Sequence, residues 1–268
     1  MKTAIHIWKD SWQLLQRHLK VIVPFGVTAL AGVLALWILY LAPQKPVSYL
    51  LAPPIRKFLG EKFLHYPYHL FILPKLFYYA ERVIIAVVGV LMTGTAIGMI
   101  KETFEGKRPR IMRNFTYALR RFFALFVILA VMMGAAILTS EAVKAVFAQR
   151  NFATALLMYL AALIPQALFI YALPAIILGR QNVIRAFHEG IKLFGRRSLT
   201  TILFIVVPAL VYVPVLALNQ IGRNLIVNIA PEVILVMIGL GIIASLIIEI
   251  WTILAPTVLY LKTKEGSV

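Results

Sequence analysis

Six long apolar runs, separated by polar and mostly basic segments, set the layout of this 268-residue chain. They cover residues 21–42, 83–100, 122–139, 153–179, 199–218 and 233–261. Each approaches or exceeds the roughly 20 residues that a helix needs to cross a bilayer. The segments ahead of the first, third and fifth runs have a different period. Within residues 1–20, Ile5, Trp8, Trp12, Leu15 and Leu19 fall on one helical face, and Lys9, Gln13, Gln16 and Lys20 on the other. Met112, Phe115, Leu119 and Phe122 mark a second stripe. In residues 174–197, the stretch around which the chain is organised, Val183, Phe187, Ile191 and Phe194 oppose Arg185, Glu189, Lys192 and Arg196. This spacing predicts helices lying on the membrane surface. The expected fold is an all-α polytopic membrane protein: six transmembrane helices, with amphipathic interfacial helices before spans one, three and five. The third span is expected to continue as helix to residue 149.

Punctuation within and between the runs refines this picture. Residues 43–82 hold Pro43, Pro46, Pro53, Pro54, Pro67 and Pro74 among many tyrosines and phenylalanines. Proline breaks helix, and aromatic rings favour the headgroup level. The segment therefore reads as a cap on the outer interface, with short helices over 55–64 and 70–79. Pro165 and Pro174 predict a kinked fourth span, and Pro208 and Pro214 a kinked fifth. Gly94 and Gly98, four apart in the second span, allow a neighbouring helix to approach closely.

Composition supports the membrane assignment. The chain is 62% hydrophobic and 14% charged, against about 45–50% and 25% in soluble domains. Its net charge of +17 suggests nucleic acid at first sight, but the bases lie between apolar runs and form no single patch. Eighteen of the 27 lysines and arginines fall on the side that carries both ends; the other nine, Arg150 and Arg223 among them, fall on the opposite side. By the positive-inside rule both ends are expected in the cytoplasm. The expected address is the inner membrane of a bacterial cell. The run at 21–42 lacks a small-residue cleavage site, so it reads as a retained span and not as a cleaved signal. With no cysteine in the sequence, thiol chemistry and thiolate metal sites are excluded.

The ends of the three basic segments resemble one another: Leu14-Leu15-Gln16-Arg17-His18-Leu19, Tyr117-Ala118-Leu119-Arg120-Arg121-Phe122, and Leu193-Phe194-Gly195-Arg196-Arg197-Ser198-Leu199. One integral membrane domain, residues 1–268, is expected, with a threefold parallel repeat of units 1–100, 107–179 and 182–262 as one reading of it. The other reading is that any inside segment before a span is basic and amphipathic. Three pieces of sequence carry a family likeness: Tyr171-Ala172-Leu173-Pro174-Ala175-Ile176-Ile177, then Ile184-Arg185-Ala186-Phe187, and the ending Pro256-Thr257-Val258-Leu259-Tyr260-Leu261-Lys262. They resemble bacterial inner-membrane proteins of the YciC type and the membrane domain fused to some glycerophosphodiester phosphodiesterases. Departures from that pattern occur at Gly179-Arg180 and near Gly190. The resemblance implies an architecture and a location; it implies no activity.

Among single residues, Glu249 stands out as an acid inside the sixth span. Ser245, Glu249 and Thr252 share its helical face. An ionisable residue within a span implies function by default; the bland alternative is a carboxyl hydrogen-bonded inside the bundle, for example to the fourth span near Gln166. Arg110, Arg113, Arg120, Arg121, Arg185, Lys192, Arg196 and Arg197 are candidate contacts for anionic lipid headgroups. His65 and His69 are four apart but have Pro67 between them and no nearby carboxylate, so no metal site is expected. No catalytic constellation, cofactor motif or phosphate loop is present, and no enzymatic activity is expected. Expected partners are membrane lipids on the cytoplasmic side, and either a membrane protein or a second copy; nucleic acid is not among them. Two readings of function remain open. One is a non-catalytic scaffold, assembly or lipid-organising protein. The other is a small transporter or channel whose path passes Glu249.

Overall fold

The computed structural model describes residues 2–147, 151–228 and 230–266, which contain helices and no strand. Six helical stretches are long and apolar enough to cross a membrane: Leu19–Tyr40, Tyr68–Phe104, Phe122–Val146, Phe152–Ile177, Val183–Asn219 and Val233–Lys264. The chain is therefore an all-α, multi-pass membrane protein with six spans. Helix α1 (Lys2–Arg17) precedes span one, which is α2 (Val23–Tyr40). After α3 (Ser48–Leu59), span two is built from α4 (Tyr68–Ile84) and α5 (Val90–Phe104). Helix α6 (Ile111–Arg120) precedes span three, α7 (Phe122–Val146). Span four comprises α8 (Phe152–Phe169) and α9 (Ala172–Ile177). Span five lies in α10 (Val183–Ala209) and α11 (Val213–Asn228), and span six is α12 (Val233–Lys264). Residue 149, expected as the end of the third helix, lies outside the described residues, as do Arg150 and the side chain of Arg223.

The second span differs most from expectation. Residues 70–79 are not part of a surface cap. Helix α4 begins at Tyr68 and runs through Pro74 into a π-helical turn, Ile85–Gly89, and on into α5. Leu70, Leu73 and Phe77 are buried, and α4 packs on α2 and α12. That burial outweighs the hydrogen bond lost at Pro74. The cap shrinks to α3 and its neighbouring turns, and Glu81 and Arg82 become residues of a span.

The expected breaks are present at Pro174 and between Pro208 and Pro214, whereas α8 runs unbroken through Pro165. Pro174 has no N–H for the Ile170 carbonyl, and span four breaks at Ile170 and Tyr171 before α9. Between Pro208 and Pro214 the fifth span tightens to a 3₁₀ turn, Leu210–Tyr212. There the Tyr159 hydroxyl, from α8, donates to the Ala209 carbonyl at 3.0 Å. A neighbour satisfying an interrupted ladder is what makes such breaks tolerable in lipid. Helix α10 also bends, at Arg197 (φ −134°, ψ 33°), where the basic segment gives way to span five. The Thr201 hydroxyl donates to the Arg197 carbonyl at 2.9 Å and lies 2.6 Å from the Tyr171 hydroxyl.

Gly94 and Gly98 serve packing within the chain. A Cβ on Gly94 would lie 2.9 Å from the Ala118 Cβ and 2.7 Å from Leu125, and one on Gly98 would collide with Asn114. The close neighbours are thus α6 and the start of α7. The two chain ends meet on one face: Trp8 of α1 stacks on Trp251 of α12 with centroids 5.1 Å apart, and Asp10 pairs with Lys262. This face is called the termini face below, and the opposite one the loop face.

Candidate functional site

Glu249 lies about 20 Å along α12 from Lys262, at 1.5 Å per residue. Helices α2, α4 and α12 do not close completely around it. They leave a cavity of about 80 Å³, lined by Thr28, Gly32, Glu81, Ser245 and Glu249, with Phe77 and Ile242 toward the loop face. The Thr93 hydroxyl of α5 is 3.5 Å from Glu249 Oε1, a long contact. At Phe77, Glu81 and Ile242 the cavity adjoins a second cleft, of about 220 Å³, which also reaches Tyr212 and Asn219. Glu81 borders both spaces.

Glu81 is the acid that the sequence hides. Its position, about 30 Å along the second span from Lys101, puts it at the loop-face end of the hydrocarbon. Its neighbour Arg82 bonds the Tyr78 hydroxyl and lies over that ring at 4.1 Å. Neither Glu81 nor Glu249 has an ion-pair partner among the described residues. The signal that exposes Glu81 is the apolar stripe Leu70, Leu73, Phe77 and Ile84, whose helical spacing carries span two back through the proline-rich segment.

The other sequence-predicted polar residues separate. Ser245 joins Glu249 in the cavity. Thr252 is buried one turn on, and its hydroxyl donates back to the Ile248 carbonyl at 2.8 Å. Gln166 lies on α8, which packs on α7, α10 and α11, and does not line the cavity. From Ile253 to Tyr260 the residues of α12 are all buried. The polar space therefore extends toward the loop face through the second cleft, and toward the termini face it ends at this packed stretch.

The candidate headgroup contacts also divide. Arg113 pairs with Glu102, whose second oxygen accepts the Arg110 backbone N–H at 2.7 Å. The Arg110 and Arg120 side chains are exposed, and Arg121 is partly so. Arg197 stands at the bend of α10. Arg185, Lys192 and Arg196 line a cleft of about 750 Å³ between α10 and the end of α12. A smaller basic cleft, of about 390 Å³, holds Arg17, His18, Lys20 and Arg108. Among the described residues no group of three or more histidines and acids is placed to hold a metal. No known family model, curated protein or solved structure matches the chain.

Proposed function

We propose that this membrane protein carries protons or small cations along a path between spans one, two and six, with Glu249 as the deep binding group and Glu81 at the mouth. The observation that carries the reading is the sharing of one cavity by two unpaired carboxyl groups from different spans. A carboxylate at the centre of a span costs about 2.5–3.5 kcal/mol to insert. Glu249 lies that deep without an ion-pair partner among the described residues, and Glu81 shares its space nearer the end of the span, an arrangement suited to a mobile positive charge. The cavity has room for a few waters or one cation; binding sites for organic ligands run to about 300–1,000 Å³. The π-helical turn lies between Glu81 and Thr93, and such turns are frequent at functional sites. The packed stretch from Ile253 to Tyr260 then acts as the closed gate of an alternating-access cycle. The scaffold or lipid-organising reading was the simpler one while Glu249 stood alone; Glu81 shifts the balance toward transport.

The test is flux. Purified protein in liposomes is expected to dissipate an imposed pH gradient, or a sodium or potassium gradient, faster than protein-free liposomes. Vesicles that hold all three gradients as well as empty ones would overturn the proposal.

A further inference from the structure

The cleft on the termini face has a chemistry that the transport path does not use. Arg185, His188, Lys192 and Arg196 follow one another at i, i+3, i+7 and i+11, a spacing that gathers them on one helical face. All four line the cleft. Arg185, Lys192 and Arg196 are exposed and have no acidic partner among the described residues. The acid within the cleft, Glu189, is already engaged: Lys264 lies 2.8 Å away, the Tyr260 hydroxyl donates at 2.9 Å, and the Gln181 amide donates as well. Three cations therefore border the space without compensation. At the rim the cleft turns apolar, with Ile184 80% exposed.

Uncompensated cations and an apolar rim together match one ligand class. We infer that the cleft binds an anionic phospholipid. The phosphate lies against Arg185, Lys192 and Arg196, where charge-assisted hydrogen bonds are strong. An acyl chain leaves along Ile184. A soluble phosphate ion matches the cations alone and leaves Ile184 bare. The cleft volume, about 750 Å³, suits a headgroup with its glycerol. The inference does not depend on Glu81 or Glu249, and a protein that fails to transport still has this site.

The test compares two triple variants in detergent, titrated with a fluorescent phosphatidylglycerol. Arg185→Gln/Lys192→Gln/Arg196→Gln empties the cleft of free charge. Arg110→Gln/Arg120→Gln/Arg121→Gln removes as many charges elsewhere on the basic segments. The first is expected to weaken binding on the order of a hundredfold, at roughly one power of five per base, and the second by less than about threefold. Equal losses in the two triple variants would overturn the site in favour of diffuse anchoring. Competition by inorganic phosphate at concentrations near the lipid's own would overturn it in favour of a soluble anion. Of the residues substituted in the two triple variants only Arg121 is partly buried, and unchanged thermal unfolding shows that each variant is folded.

Discussion

Replacing Glu249 by glutamine is expected to abolish flux through liposomes while leaving the fold intact. The amide keeps the shape of the side chain and an oxygen to meet Thr93, now 3.5 Å from the carboxyl. It neither exchanges a proton nor balances a cation. A loss on the order of a hundredfold is expected, the lower range for removing a group that transfers protons. Stability should hold or rise, because the cost of placing an ionisable group deep in a span disappears. Glu81→Gln is expected to slow flux less, since that residue borders the wider cleft of about 220 Å³, where water supplies alternatives. Glu249→Asp retains the charge on a shorter arm and should fall between wild type and Glu249→Gln. Flux unchanged in Glu249→Gln would remove this residue from the path. A protein that unfolds on the same change would make Glu249 a structural group.

The largest stability effect is expected at the junction of α5 and α6, far from the proposed path. Glu102 is 4% exposed, and its carboxylate holds Arg113 and the Arg110 backbone N–H at the start of α6. Asn114 closes the same corner by donating to the Arg110 carbonyl at 2.9 Å. An acid at a helix N-terminus also meets the positive end of its dipole. Arg113→Ala leaves that buried carboxylate half-partnered. Breaking a fully buried pair costs about 3–5 kcal/mol; the Arg113 side chain is itself more than half exposed, so about 2–3 kcal/mol is the expected loss. For a chain of this size that corresponds to roughly 5–10 °C in the unfolding midpoint. Adding Glu102→Gln should recover part of the loss, because the uncompensated charge is gone. An additive loss in the double variant would show that the two side chains do not act as a pair.

The apolar runs made the six spans legible, because lipid forces about 20 successive residues to agree. The prolines of spans four and five were equally plain: Pro174, Pro208 and Pro214 each sit beside a break in the helix. The junction before span five was marked by the pair Arg196-Arg197, and the chain bends at Arg197. The start of span two was not legible. Pro67, Pro74 and the tyrosines are locally those of an interfacial loop, and only the tertiary burial of Leu70, Leu73 and Phe77 turns them into a helix. With that boundary about fifteen residues too late, Glu81 falls inside the segment 43–82 that reads as a cap, and Glu249 has no second acid within a span. Thr93 was equally invisible, because contact between distant spans leaves no mark on local periodicity. Gln166 shows the converse: polarity and a neighbouring proline drew attention to it, but spatial proximity to Glu249 does not follow from either.

The central claim is a wet path that reaches Glu249 from the loop face and stops there. The chain's lack of cysteine makes this directly measurable. Single cysteines at Glu81, Ser245, Glu249, Gln166 and Thr252 would be exposed in intact membranes to silver ions, thiol-reactive cations small enough for a cavity of about 80 Å³. Labelling at Glu81→Cys, Ser245→Cys and Glu249→Cys, with Gln166→Cys and Thr252→Cys protected, is the expected pattern. Protection of Ser245→Cys and Glu249→Cys in folded protein would contradict it and leave a dry, packed bundle.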